Sequence, residues 1–142
     1  MVVMKTRTKE SGVTIVWNGD EVKRRAAILA TKSPYEIGLF VEGEARKLAP
    51  VDKGRLMGSI TVASGDGKRT SPKGKGSIST DLIRAPSDKF ETFVGTPVEY
   101  GPYMEYGTIR TSAQPFLRPA LDMARGRAPE IVQVGAKRDF AE

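Results

Sequence analysis

The segment SAQPFLRPALD, residues 112–122, places two prolines around an apolar pair, Phe116 and Leu117. Proline lacks a backbone N–H and clashes with the preceding helical turn, so Pro115 and Pro119 cannot both lie deep inside one helix. Pro119 is compatible with the first turn of a helix, where N–H groups have no partner within the helix. The segment therefore predicts a fixed corner, with an extended chain that ends at Pro115 and a helix that starts no earlier than about Phe116.

Three tyrosines precede this corner at intervals of three residues, which suits one or two helical turns. They are Tyr100, Tyr103 and Tyr106. We expect an interruption near Gly101-Pro102 and an end of the helical turn at Gly107, because glycine readily terminates a helix.

After the corner, four apolar residues follow helical spacing and define one face of a helix: Leu117, Ala120, Leu121 and Ala124. Gly126 is a natural stop for that helix. Pro129 then suits the first position of a separate last helix in the C-terminal segment.

Two helices are expected in the first third of the chain. The segment GDEVKRRAAILATK, residues 19–32, has acidic residues at its start and helical apolar spacing. Ser33, Pro34 and Glu36 then match an N-cap, a first-turn proline and a capping box. The second helix would therefore begin at Ser33 and run to about Leu48.

A tight corner between this helix and a strand is expected at APVDKGRL, residues 49–56. Pro50 stops the helix, the Asp52 side chain can bond back to the backbone, and Gly54 can take a positive φ. The residues after it alternate over 56–63, which predicts a strand.

The fold class predicted from these patterns is α+β. We expect an antiparallel sheet of three to four strands with a long hairpin arm, packed against an N-terminal helical segment and a C-terminal helix. The expected strands are at residues 13–17, 56–63, 77–83 and 89–96. We expect a single domain over residues 1–142. Its parts are an N-terminal strand or arm (1–18), a flexible basic hairpin loop (64–77) and a C-terminal helical tail (127–142).

The loop SGDGKRTSPKGKGS, residues 64–77, carries four cations, Lys68, Arg69, Lys73 and Lys75. Its glycines do not follow the order of a phosphate-binding loop. The cations could contact phosphates, dock on an acidic protein surface or simply keep the loop soluble. The three tyrosines could stack on bases, but such residues more often pack in a core or an interface.

Composition excludes several classes of chemistry. The 142 residues include no cysteine and no histidine, so serine–histidine, cysteine–histidine and ordinary zinc catalysis are absent. The sequence contains no run of 18 apolar residues, so no membrane span is predicted. The first ten residues lack the apolar core of a signal peptide. The net charge of +6 is spread thinly along the chain, whereas a dedicated DNA-binding protein usually concentrates its charge.

Three stretches together resemble the neck, or tail-completion, proteins of long-tailed double-stranded-DNA bacteriophages. They are EARKLAPVDKGRLMGSI (44–60), FVGTPVEYGPYMEYGT (93–108) and AQPFLRPALD (113–122). In that family a helix ends in A-P-x-D-T-G-x-L-x-x-S-I, then V-G-x-x-V-x-Y-A-x-x-x-E-F-G-T follows, and P-F-x-R-P-A precedes a C-terminal helix. The chain departs from this pattern at Lys53, at Gly101-Pro102 and at Tyr106.

The resemblance implies a structural virion protein, made in the host bacterial cytoplasm, with no enzymatic activity, cofactor, metal or membrane. Such a protein forms a ring, expected to be a hexamer, at the head–tail joint and contacts the connector or head-closure and tail proteins. DNA passes through the ring without sequence-specific binding. The candidate interface residues are Lys68, Arg69, Lys73, Lys75, Tyr100, Tyr103 and Tyr106, and the candidate structural corners are Pro50, Asp52, Gly54, Gly107, Pro115, Phe116 and Pro119.

Three other functions remain open at this point. A tail-terminator ring, which caps the tail tube, is a neighbour with a related role. A free nucleic-acid-binding protein would use the basic loop. A metal-dependent nuclease would use carboxylates near the sheet, with Asp81 and Glu91 on strands and Asp88 in a turn, although their spacing does not force them together. The other acidic residues near the predicted sheet are Glu99 and Glu105.

Overall fold

The computed structural model describes residues 4–7, 14–51, 54–73 and 83–140. Over these ranges the chain forms four helices and four short strands. In chain order they are β1 (Met4–Arg7), β2 (Thr14–Trp17), α1 (Gly19–Leu48), α2 (Arg55–Ser59), β3 (Thr61–Ser64), β4 (Thr92–Gly95), α3 (Gly101–Tyr106) and α4 (Leu117–Phe140). Among the described helices, none is long and apolar enough to cross a membrane.

The predicted sheet of three to four strands is wrong. The described strands form two separate antiparallel pairs, β1 with β2 and β3 with β4. The predicted N-terminal strand at residues 13–17 corresponds to β2. It does not extend the β3–β4 sheet but pairs with β1, with Met4 opposite Trp17. In the other pair Thr61 lies opposite Gly95. Helices dominate the fold because long α1 and α4, rather than a wide sheet, bury the apolar surface.

The predicted break at Ser33 is also wrong, since α1 runs through it as one helix of 30 residues. Pro34 lies inside the helix and removes the N–H that would bond to the carbonyl of Ala30. The Ser33 hydroxyl does not cap a new helix but donates to the carbonyl of Leu29 at 2.7 Å. Local capping signals are outweighed because α1 packs against α4 and against both β3 and β4.

The predicted stop at Gly126 and new start at Pro129 are wrong for the same reason. Helix α4 continues through both residues to Phe140. Pro129 is exposed, so the carbonyl that loses its helical partner can bond to water. At the far end of the pair α1–α4, Lys32 forms an ion pair with Asp139 at 3.0 Å.

The strand predicted over 56–63 begins only at Thr61, because Arg55–Ser59 form the short helix α2. Gly54 precedes α2 with a φ of 72°, and its carbonyl accepts from the N–H of Gly58 at 2.9 Å. The expected positive φ at Gly54 is confirmed. It turns the chain into a helical turn rather than directly into a strand.

The core lies where the ends of α1 and α4 meet α2 and the start of β3. Its buried residues are Val41, Ala45, Ala49, Leu56, Ile60, Val98, Phe116, Ala120 and Ala124. Small alanines on both long helices allow close approach of the helix axes, and Phe116, with 0% exposure, fills the space at the start of α4. The Arg46 guanidinium joins α1 to this core by donating to the carbonyl of Ile60 at 2.7 Å.

The first part of the predicted basic arm returns along β3. After a turn at residues 65–67, the N–H of Thr70 donates to the carbonyl of Val62 at 3.0 Å. Arg69 forms an isolated bridge with Ala63, and the N–H of Lys73 donates to the carbonyl of Gly58 at 2.8 Å. The strand predicted over 77–83 lies almost wholly outside the described residues.

Candidate functional site

The corner predicted from the two prolines is held by one carboxylate. Glu105, in α3, accepts hydrogen bonds from three successive backbone N–H groups at the start of α4. The distances are 2.8 Å to Phe116, 3.0 Å to Leu117 and 2.9 Å to Arg118. These donors have no partner within the helix, so Glu105 caps α4 from a distant position in the chain. Pro119 lies in the first turn of α4, as predicted.

The charge of Glu105 is stabilised by this arrangement. Burial opposes ionisation, but the three backbone hydrogen bonds and the nearby Arg118 charge outweigh it and hold the pKa of the carboxyl below its ordinary value of 4.5. The positive end of the helix dipole acts in the same direction. Glu105 is therefore a charged link between α3 and α4.

Two backbone features hold the ends of the segment between α3 and α4 close together. The N–H of Gln114 donates to the carbonyl of Met104 at 2.7 Å. Gly107, the predicted end of the tyrosine helix, has a φ of 77°, and a Cβ at this position would lie 2.8 Å from the backbone nitrogen of Ala113. Only glycine combines this φ with so close an approach. The corner is thus fixed on both sides of the connecting loop.

The loop itself forms a compact turn with an apolar tip. The N–H of Thr108 donates to the carbonyl of Thr111 at 2.8 Å. The Thr108 hydroxyl accepts from the N–H groups of Arg110 and Thr111. Ile109, at the tip, is fully exposed.

A groove of about 710 Å³ lies beside this loop, between α1, β4, α3 and α4. Its apolar lining includes Ile37 and Val41 from α1, Val94 from β4, and Leu117 and Leu121 from α4. Its volume is in the range of pockets that hold a small molecule, about 300–1,000 Å³.

The three predicted interface tyrosines lie at the surface. Tyr103 and Tyr106 are 61% and 79% exposed, and Tyr100 is less so. Tyr106 also lines the groove, beside Glu105. The tyrosine helix itself begins at Gly101-Pro102, so the expected interruption there is its start.

The predicted basic residues lie at the surface of the turn that returns along β3, except Lys75, which falls outside the described residues. Lys68 pairs with Asp66 at 2.8 Å and lies over the Tyr35 ring. The Arg69 guanidinium donates to the carbonyl of Ile83 at 3.2 Å. Lys73 is exposed.

The carboxylates considered for a nuclease have separate environments. Asp88 accepts from the N–H of Phe90 within a turn, Glu91 is exposed, and Glu105 caps α4. Asp81 lies outside the described residues. In the part of the chain that the structure describes, no three acidic side chains come together as metal ligands.

The remaining corner residues have simple positions. Pro50 directly follows Ala49, whose N–H makes the last hydrogen bond of α1, to Ala45 at 2.8 Å. Asp52 lies outside the described ranges. Pro115 is exposed at the end of the loop, next to the buried Phe116.

Sequence patterns missed two connecting side chains. Glu105 was considered only as a carboxylate near the sheet, because its partners lie 11–13 residues away and no helical spacing links them. The Ser59 hydroxyl, buried at the end of α2, lies 2.5 Å from the Thr96 hydroxyl beyond β4. Both contacts connect two of the three stretches that resemble neck proteins. Glu105 joins the stretch 93–108 to the stretch 113–122, and Ser59 joins the stretch 44–60 to Thr96 in the stretch 93–108.

Comparison with known proteins adds no relative, since no protein-family model, curated protein or solved structure matches the chain.

Proposed function

We propose that this chain is a structural virion protein that forms a ring at the phage head–tail joint, where it links the connector to the tail. One observation carries the proposal. Within the part of the chain that the structure describes, the three stretches that resemble neck proteins supply seven of the nine buried residues of the main core cluster. They contribute Ala45, Ala49, Leu56 and Ile60 from the first stretch, Val98 from the second, and Phe116 and Ala120 from the third.

The rigid corner supports this role. A ring closes only if the contact between neighbouring subunits has the correct rotation, so a subunit must hold its two contact faces at a fixed angle. Glu105, Gly107 and the Met104–Gln114 hydrogen bond fix α3 relative to α4.

The surface is rich in large apolar side chains. Ile109, Tyr106, Val51 and Val134 are each more than half exposed. Apolar surface rimmed by polar residues is typical of sites that are buried in a complex. Tyr106 and Ile109 lie only three residues apart beside the groove, so this pair, rather than the scattered Val51 and Val134, supports an assembled state.

The basic turn supports protein docking more than DNA binding. Lys68 contacts Asp66 and Tyr35, and Arg69 contacts the Ile83 carbonyl, so these contacts hold the basic turn in place on its own chain. Each phosphate contact would also strengthen the grip on DNA, whereas a conduit must release it. In this proposal DNA passes through the ring and the basic turn faces a neighbouring protein.

Deletion of the gene from the phage tests the proposal. A neck protein predicts filled heads and separate tails of normal length in electron micrographs. A tail-terminator ring predicts tails of abnormal length, because the tube is not capped. A free nucleic-acid-binding protein predicts joined particles, together with steeply salt-dependent DNA binding by the purified chain. Joined, infectious particles of normal shape would contradict both ring functions.

A further inference from the structure

Strand β3 uses alternate residues to bond to the two sides of its backbone. The N–H of Ser64 donates to the carbonyl of Lys68 at 2.9 Å, and the carbonyl of Val62 accepts from the N–H of Thr70 at 3.0 Å. In an antiparallel pair, residues alternate between those that exchange hydrogen bonds with the partner strand and those that do not. Val62 and Ser64 therefore belong to the second kind and direct their backbone groups away from β4.

The residues opposite them give β4 an unpaired edge on the side of the groove. Val94 lies opposite Val62 and Thr92 lies opposite Ser64, so both also direct their N–H and C=O groups away from β3. Both residues line the groove. Among the described residues, no backbone hydrogen bond reaches these groups. Since backbone N–H and C=O groups bond strongly, this edge can accept a further strand.

Strand β4 lacks the residues that commonly protect a free edge. Lysine and proline are among the usual means by which proteins prevent a second strand from pairing at an edge. The four residues Thr92–Gly95 include no charge and no proline. The outer edge of β3, in contrast, is covered by residues 68–70 of its own chain. The edge of β4 is therefore open to an added strand.

The groove beside this edge suits the side chains of such a strand. Its walls include Ile37 from α1 and Leu117 and Leu121 from α4. Alternate side chains of a strand face the same side, so apolar residues at alternate positions would contact this lining. Main-chain hydrogen bonds to a sheet edge, combined with pockets for alternate side chains, are a general mode of peptide recognition.

One charge in the groove discriminates among such segments. The charged residues that line it are Glu105 and Arg118. The Glu105 carboxylate is engaged by three backbone N–H groups at the start of α4. Arg118 is exposed and forms no ion pair within the described part of the chain. A carboxylate on an incoming segment is therefore the complementary group, and a cation in its place would be repelled.

We propose that β4 is a docking edge for an extended segment of a partner protein, with apolar residues at alternate positions and an acidic residue that meets Arg118. The segment adds a strand to the β3–β4 pair. Its backbone bonds to Thr92 and Val94, and its apolar side chains enter the groove. The site goes beyond the proposed ring function, because it specifies what a partner presents rather than where the chain lies in a virion.

Selection of a displayed library of random linear peptides on the full chain supplies the probe. We expect enriched peptides that combine alternating apolar residues with aspartate or glutamate and lack internal proline. A selected peptide is then synthesised with one backbone nitrogen methylated at a time. Methylation should weaken binding at every second residue only, because only alternate N–H groups face β4. Failure to enrich any peptide, or loss of binding without this alternation, would overturn the proposal.

The matched variants are L121D and M123D, because Leu121 and Met123 are both 44% exposed on α4 but only Leu121 lines the groove. L121D should weaken binding of the selected peptide about tenfold or more, and M123D should leave it unchanged. R118E should also weaken binding, and exchange of the acidic residue of the peptide for lysine should restore it. Equal binding to L121D and M123D would overturn the site.

A second copy of the chain is the alternative occupant of this edge. Self-association that L121D abolishes and M123D does not, together with a library that yields no peptide, would assign the edge to another copy and overturn the proposal. Gene deletion tests the ring function independently of all these outcomes.

Discussion

The carboxylate of Glu105 accepts the backbone N–H of Phe116 at 2.8 Å and so joins the short helix α3 to the first turn of α4. Phe116 is fully buried, and it is one of the largest side chains in the core. The hydrogen bond therefore positions the residue that fills the core at the point where the predicted corner turns.

Removal of this cap should destabilise the fold. For E105A we expect a loss of about 2 kcal/mol in the free energy of unfolding, because three backbone donors lose a charged acceptor. E99A is the control, since Glu99 is exposed and its change should stay within about 0.5 kcal/mol. Urea unfolding measures both variants. Equal stability of E105A and E99A would contradict the capping role.

The cap should also make stability depend on pH. The pKa of Glu105 is depressed in the folded state, so its stabilisation is present above the ordinary value of 4.5 and is lost as the pH falls through the folded pKa. Glutamine does not titrate. The difference in urea midpoint between wild type and E105Q should therefore be largest near neutral pH and shrink in acid. A difference that stays constant with pH would contradict this linkage.

Two glycines of α1 should respond in opposite ways to alanine. A Cβ on Gly38 would lie 2.6 Å from Cγ2 of Thr92 and 3.0 Å from Cγ1 of the buried Val62. G38A should lose about 1–3 kcal/mol through overpacking, despite the better helix propensity of alanine. A Cβ on Gly43 meets no atom within 4 Å, so G43A should gain about 0.5–1 kcal/mol. Thermal and urea unfolding measure both, and a gain in G38A would refute the close packing of α1 on the sheet.

The internal prolines distinguish a continuous helix from a broken one. In a continuous α4, P129A restores a backbone N–H and removes the clash of the proline ring with the preceding turn. Alanine also gives the unfolded chain more conformational entropy, which offsets part of this gain, so we expect a net stabilisation of about 2 kcal/mol. P34A should change stability in the same direction in α1, but by less because Pro34 also lines the groove. If Ser33 and Pro34 instead began a new helix, P34A would be neutral or destabilising. Circular dichroism during urea unfolding measures the change.

The basic residues provide a test in the assembled particle. Neutralisation of Lys68, Arg69, Lys73 and Lys75 to glutamine should impair head–tail joining, because these cations are proposed to dock on a neighbouring protein. The control neutralises Lys23 and Lys137, which are exposed on α1 and α4, and should leave joining normal. Counts of joined particles in electron micrographs measure the effect. Normal joining with altered DNA retention would favour contact between the basic turn and DNA.

The parts of the fold that local chemistry determines could be predicted from the sequence. Pro119 in the first turn of α4, the positive φ at Gly54 and the end of α3 at Gly107 follow from what these residues can do alone. The break at Ser33 was wrong because its capping signals are local, while the packing of α1 against α4 is not. Glu105 could not be recognised as a cap, because its partners follow a loop whose shape no spacing reveals.

The central claim is that the chain is a subunit of a ring at the head–tail joint. Cryo-electron microscopy of intact virions from the phage that encodes it tests this most directly. The account predicts a sixfold ring of 15.4 kDa subunits at the junction, into which the α1–α4 pair and the Glu105 corner fit. Virions with a fully assigned junction that lacks this chain would contradict the account.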